Sequence, residues 1–357
     1  MPNWTASMQQ TFEYYEVDPA TWADLRQITN ITSSSITRDA SSDTGGSASF
    51  NVSSDLGELY IRVYLIIIQN RTRTKIPLGT YLCQSTSEGF DGKVKDVTVD
   101  AYAPLLELKE KHPPLGYAIG ASQTNQVNVL YLATRLVSEN VRAPVVGCES
   151  SYMLNQAFVA ELDDTWFTFI SDLLACAKYS LGVDELGQII FIPDQDTNSL
   201  QPVFTYADND ISILQPDLNV DRDLYGIPNV LEVIYSKDDG GYVYSKVVND
   251  DPDSPISTVT RGREVVQRIT DPDIFGIPTQ VQLDDYTKQK LRDLSTIEYT
   301  LTYTHGYCPV RVGDCVLINY ERAGLNNRRA KVIRQSIKCE TGCQVEETAV
   351  YTESLWR

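Results

Sequence analysis

Histidine is almost missing from this chain: there are two in 357 residues, His112 and His305. That removes most of the side chains able to exchange protons near neutral pH. Catalytic signatures are missing too. The sequence has no G-x-S-x-G elbow, no H-E-x-x-H, no G-x-x-x-x-G-K-[ST] and no G-x-G-x-x-G. A triad through either histidine stays open, because triads are assembled in space and not announced by a local motif. Long apolar runs are also lacking. The longest, Val63–Ile68, has six residues, whereas a helix needs about 20 to cross a bilayer. The N-terminus, MPNWTASMQQ, is polar and reads as no secretory signal. The sequons at Asn3, Asn30, Asn51 and Asn70 then read as chance matches.

Positive charge is scarce. Thirty Lys and Arg face 48 Asp and Glu, a net charge of −18. Such a surface repels nucleic acid and anionic membranes. The two small basic clusters, Arg71/Arg73/Lys75 and Arg328/Arg329/Lys331, read as strand edges or turns. Cysteine is modest and odd in number, at seven, which excludes a dense disulfide framework.

What is abundant is tyrosine, 21 residues, within a 42% hydrophobic composition. Aromatic side chains suit a pleated, half-buried surface, so strands are favoured. The length predicts two to three domains at roughly 100–200 residues each. In residues 1–105, Ala48, Phe50 and Val52 alternate with polar neighbours after the turn signal Asp43–Gly46. Leu59–Ile68 is apolar on both faces and reads as a central strand. Val97, Val99 and Ala101 mark another strand. A barrel or sandwich of short strands follows.

Residues 106–202 change character after His112-Pro113-Pro114. Val127, Leu130, Tyr131, Val137 and Val141 recur at helical spacing. A second helix follows the cap cluster Asp163-Asp164-Thr165, with Trp166, Ile170, Leu173, Leu174, Ala177 and Leu181 inward and Gly182 as its stop. A hairpin over Val183–Pro193 turns at Asp184–Gly187. Residues 203–357 return to strands. Val230–Tyr235 and Tyr242–Val248 flank a turn at Asp238–Gly241. A helix is expected over Gln282–Ser295, with Leu283, Tyr286, Leu291 and Leu294 inward. Ile297, Tyr299, Leu301 and Tyr303 then alternate, and Asp314–Tyr320 pairs with Ala330–Ile337 across Gly324–Asn327.

Three constellations could carry chemistry. Carboxylate pairs occur at Asp163/Asp164, Asp221/Asp223 and Asp284/Asp285. A glycosidase would need two across a cleft; a cap, a turn and an early helical turn explain them equally. Asp194-x-Asp196-x-Asn198 starts like a calcium loop, but Ser199 and Thr205 stand where Gly and Glu are required, so a turn is expected. Cys308, Cys315, Cys339 and Cys343 crowd the end of the chain. Four thiolates suit zinc or an iron–sulfur cluster. Small buried hydrophobes, or one disulfide, are the plainer reading.

Three stretches carry a resemblance: GSASFNVSSD…LYIRVYLIII…IPLGTYLCQ…VKDVTVDAYAPLLEL, DDTWFTFISDLLACAKYSLGVDELGQIIFIPD, and YCPVRVGDCVLINYERAGLNNRRAKVIRQSIKCETGCQVEETAVYTESLW. In that order they resemble the tail hub family of long-tailed phages and related contractile machines, in the prophage form found in Gram-positive hosts. The resemblance implies an α+β, mostly β fold. Two tail-tube-like β-barrel domains would occupy 1–105 and 203–357, with an α/β insert at 106–202 and a small helical elaboration near 265–295. It implies a structural virion protein of the tail tip, assembled in the host bacterial cytoplasm, and no enzyme. A homotrimer with two barrels per chain would close a sixfold tube with a threefold plug and gate DNA exit. Partners would be the distal tail ring, the C-terminus of the tape-measure protein, and a tail fibre or tip protein. Phage DNA would pass without specific binding. Some family members hold an iron–sulfur cluster through C-terminal cysteines, for which Cys308, Cys315, Cys339 and Cys343 are the positions here. Two other functions stay open: a tail-associated cell-wall hydrolase using carboxylates or a Cys/His site, and a host-receptor-binding tail protein with exposed tyrosines. The chain stops at Arg357 directly after its last strands, so no further domain of about 100–150 residues is expected for a hydrolase.

Overall fold

The strand Tyr60–Gln69 pairs antiparallel with Gln9–Val17 on one side and Thr72–Phe90 on the other. Residues Tyr60 through Ile67 are buried, as an apolar run between two neighbours requires. A computed structural model describes residues 2–356 except 91, 94, 210–212, 238, 239, 271 and 275. Strands hold 48% of the chain and helices 15%, so it is α+β and mostly β.

The chain divides into two compact units: residues 1–218 with 302–349, and residues 219–301 with 350–357. These bounds differ from those read off the sequence. The expected insert lies inside the first unit, and 203–357 is shared between the two. The reason is packing. Trp22, Tyr60 and Leu82 belong to the same apolar cluster as Leu130, Leu136, Phe169 and Leu173 of the insert helices.

In the first unit Ile31–Asp39 pairs with Gly46–Val52, which pairs with Lys95–Tyr102. Ala48, Phe50, Val52, Val97, Val99 and Ala101 face the core as their alternation predicts. On its other edge Ile31–Asp39 pairs with Leu325–Cys339, from the far end of the chain. The sheet path has two ends and no closed barrel forms among the described residues. The tight connection before Leu325–Cys339 is a single turn at Glu321–Ala323 with Gly324 at φ 75°. Leu325 already pairs with Tyr320. The loop expected over Gly324–Asn327 is therefore shorter than the sequence suggested.

Two helices, Val129–Asn140 and Trp166–Ala175, form the insert. Asn128 caps the first by accepting from the Tyr131 amide; Tyr131 itself points outward, 70% exposed. Thr165 caps the second through a reciprocal box with Thr168. This second helix ends at Ala175, earlier than its apolar stripe suggests. Lys178 adopts φ 58°, and Leu181 and Gly182 lie in the strand Tyr179–Val183, paired with Ile189–Pro193. Gly182 is a close approach instead of a helix stop, since a Cβ there would meet Ile192 Cδ1 at 2.5 Å.

The second unit holds the antiparallel pair Val230–Ser236 and Tyr242–Val248, with Val266–Thr270 parallel to the first. Asp238 and Asp239 of the expected turn lie outside the described residues. The helix Gln280–Leu294 covers one face through Leu283 and Leu291, with Tyr286 and Leu294 packed alongside.

The turn Asp184–Gly187 is gripped from several directions. Trp22 Nε1 and Arg62 Nη2 both donate to Leu186 O, at 2.8 and 3.1 Å. Glu185 meets Arg311 at 2.7 Å and Arg38 at 3.8 Å. Gly187, at φ 76°, sits where a Cβ would lie 2.6 Å from Thr80 Cβ and 3.1 Å from Trp22 Cζ2. Both the φ and the space exclude a side chain. Gly187→Ala should therefore lower stability by about 2–4 kcal/mol, read as a lower urea midpoint. A loss below about 0.5 kcal/mol, the range of ordinary surface changes, would mean that the turn is not packed as described.

Candidate functional site

Alternation along Thr296–Gly306 places Ile297, Tyr299, Leu301, Tyr303 and His305 on the buried face. The same rule along Gln344–Ser354 buries Val345, Glu347 and Ala349. Sequence alternation therefore aims a histidine and a carboxylate into one core. His305 Nε2 lies 3.4 Å from Glu347 Oε2, and both side chains are 0% exposed. The Nδ1–H donates to the Gly306 carbonyl at 2.7 Å. Tyr206 OH sits 3.1 Å from His305 Nε2 and 3.3 Å from Cys308 Sγ. Tyr303 OH donates to Glu347 Oε1. Gln335 Nε2 donates to Glu347 Oε2 at 2.7 Å and to the Val310 carbonyl at 3.0 Å. Arg38 Nη1 donates to Gln335 Oε1 at 3.1 Å, which extends the network to the N-terminal sheet.

Burial alone would lower the His305 pKa. Hydrogen bonds to Cys308 and Glu347, with the Glu347 charge, outweigh it and hold the imidazole at about 10. At neutral pH the residue is a buried imidazolium facing a carboxylate. Cys308 Sγ is 4.0 Å from His305 Nδ1. The grouping resembles a Cys–His–acid triad in composition only. Its base already carries a proton, its Nδ1–H is committed to a backbone carbonyl, and its thiol is buried. The arrangement can hold strands together; it offers a substrate no entry. His112, the other histidine, lies in a loop with Nδ1 2.8 Å from the Asp164 carbonyl and no nucleophile among its hydrogen-bond partners.

The C-terminal cysteines do not converge. Cys308 belongs to the His305 cluster, while Cys339 and Cys343 join the core around Ile36 and Phe50. Cys315 Sγ contacts the Val316 carbonyl. All four are free thiols, and no group of three or more metal-ligating side chains forms among the described residues. The donor set fits neither zinc nor an iron–sulfur cluster. Burial pushes the Cys339 thiol up to about 11 and the Cys343 thiol higher still.

The carboxylate pairs go separate ways. Asp164 belongs to the helix cap, accepting from Thr168. Asp284 accepts from Ser245 and Gln280, and Asp285 is exposed. Asp221 and Asp223 line a cleft of about 480 Å³ with Arg222, Thr296 and Glu298. Asp194-x-Asp196-x-Asn198 forms a turn, with Asp196 capping Thr197–Ser199. No helix among the described residues is long and apolar enough to cross a membrane.

No family model and no curated protein matches the sequence. Solved structures do. A tail protein from Neisseria meningitidis aligns with TM-score 0.61 at 12% identity, over 97% of this chain and 98% of that one. The chain shares the fold of phage tail proteins. A 43 kDa tail protein of prophage MuSo2 from Shewanella oneidensis gives TM-score 0.61 at 12% identity, over 95% and 98%. A Francisella PdpA–VgrG complex gives 0.53 at 10% identity; 98% of this chain spans 53% of that one.

The cluster has a pH signature. The folded chain binds the His305 proton more tightly than an unfolded chain does, at about 10 against 6.5. Its stabilisation is complete below pH 6.5 and is lost as pH rises through about 10. Stability should fall across that window, and Glu347→Gln should flatten the fall. The variant should also cost about 3–5 kcal/mol at neutral pH, because it strands a buried cation. An unaltered slope in Glu347→Gln would refute the pairing. Native-state labelling with a disulfide reagent should modify exposed Cys176 and half-buried Cys148, with Cys83, Cys308, Cys315, Cys339 and Cys343 reacting only on unfolding. Fewer than seven reactive thiols in denaturant would point to a disulfide or a retained metal.

Proposed function

We propose that this chain is a structural subunit of a phage tail tip: a homotrimeric hub that closes the distal end of the tail tube and gates DNA exit. The end-to-end fold match with tail proteins carries the reading, since it spans both chains almost entirely. The fate of the chemistry-bearing residues supports it. His305, the four C-terminal cysteines and Glu347 are consumed in cores. A trimer of a chain with net charge −18 also suits a conduit for DNA, because like charge keeps phosphates from sticking. The distal tail ring, the tape-measure protein's end and a fibre or tip protein are the partners this role requires, and the virion tail is its place.

Native mass spectrometry of the purified chain tests the assembly. The hub reading expects a species at three times 40.0 kDa that leaves cell-wall suspensions intact. A monomer that clears such suspensions would replace it with the hydrolase reading.

A further inference from the structure

Two of the buried cysteines meet at the turn between the last two strands. Leu325–Cys339 is paired with Gln344–Ser354. The chain reverses between them, with the Cys343 amide donating to the Glu340 carbonyl at 2.9 Å. Two side-chain bonds fix which residues stand opposite. Gln335 donates to Glu347 at 2.7 Å, and Lys338 donates to Gln344 at 3.2 Å. Both pairs obey one antiparallel register, and one step further that register sets Cys339 opposite Cys343. Burial agrees. Ile337, Cys339, Cys343 and Val345 all join one apolar cluster, while Lys338 between them is exposed.

Opposed residues of an antiparallel pair have Cα atoms about 4.5–5.5 Å apart. A disulfide needs about 4.4–6.8 Å. The two thiols are free, yet their placement is that of a bonded pair. A bond here would have structural reach. Cys339 is also the last residue of its strand paired with Ile31–Asp39, opposite Ser34. The Cys343 carbonyl accepts from the Tyr307 amide at 3.0 Å.

We propose that Cys339 and Cys343 are a disulfide site, closed by a small dialkyl disulfide when the turn over them opens. One thiolate attacks the oxidant and forms a mixed disulfide, releasing one small thiol. The second thiolate attacks the protein sulfur of that bond and expels the other. The cysteines lose two protons and two electrons, and the oxidant becomes two thiols. In the closed fold the pair is protected. It lies beneath the exposed residues Glu340–Gly342, and burial raises both thiols. The bond would fasten the end of the seam with Ile31–Asp39 to the final strand. This site is independent of the hub role.

The test holds the 357-residue chain in urea just below its unfolding midpoint, with a mixture of oxidised and reduced glutathione, and then returns it to buffer. Peptide mapping of the product should show Cys339 joined to Cys343, the linked peptide being two hydrogens lighter. The bond should resist added reductant until the chain is unfolded. The oxidised chain should also have a higher urea midpoint than the reduced one. Cys339→Ser and Cys343→Ser should each abolish that rise; the map of the parent chain needs neither variant to fold. A map in which the two cysteines stay unjoined overturns the proposal. So does one in which either is joined to Cys83, which shares their cluster, as often as to the other. Assembly state is read separately, so failure here leaves the hub reading untouched.

Discussion

Everything in the first unit depends on one seam, where Leu325–Cys339 adds to Ile31–Asp39. Arg38 and Gln335, hydrogen-bonded across it, are 297 residues apart. Closing a loop of that length carries an entropy cost that the contacts across the seam must offset. Apolar contacts from Ile36 and Ile337 contribute on one side. The specificity comes from polar groups. Arg38, Gln335, Glu347 and His305 form a continuous buried line in which charge runs positive, neutral, negative, positive. A slip of one residue in Leu325–Cys339 would turn Gln335 to the wrong face and remove the side chain that joins Arg38 to Glu347. The network penalises wrong registers more than it stabilises the right one.

That constraint also explains why the most reactive-looking residues are inert. His305 is held as a cation by the carboxylate it faces. Glu347 accepts from Tyr303 and Gln335, and Cys308 fills the space beside Tyr206. Catalysis needs a group whose proton can leave and whose neighbour is open. Here both conditions are given up to a closed hydrogen-bond network.

Much of this was legible in the sequence wherever period-two alternation ran long. Ala48–Phe50–Val52 and Ile297–Tyr303 read correctly, and one more step of the second pattern would have buried His305. The cap Thr165 was equally plain, as was a central strand, read at Leu59–Ile68 and found at Tyr60–Gln69. What failed shares one cause: periodicity names a face, not the partner opposite it. Leu181 continued a helical stripe, yet pairing with Phe191 made it strand. Cys339 and Cys343 share one core, while Cys308 and Cys315 were sent elsewhere by strand register. Glu347 was invisible as a site residue, because nothing local says which histidine an inward carboxylate will meet. The division into units was hidden for the same reason, since Trp22 and Tyr60 join a core shared with helices far along the chain.

The most direct test of the account is the protonation of His305 itself, followed by nitrogen NMR of the imidazoles in the folded protein. One of the two histidines should keep both ring protons through neutral pH and titrate at about 10. If the His305 imidazole instead loses a proton near 6.5, the buried ion pair does not exist. A free base would then stand beside Cys308, and the case for a purely structural core would fail.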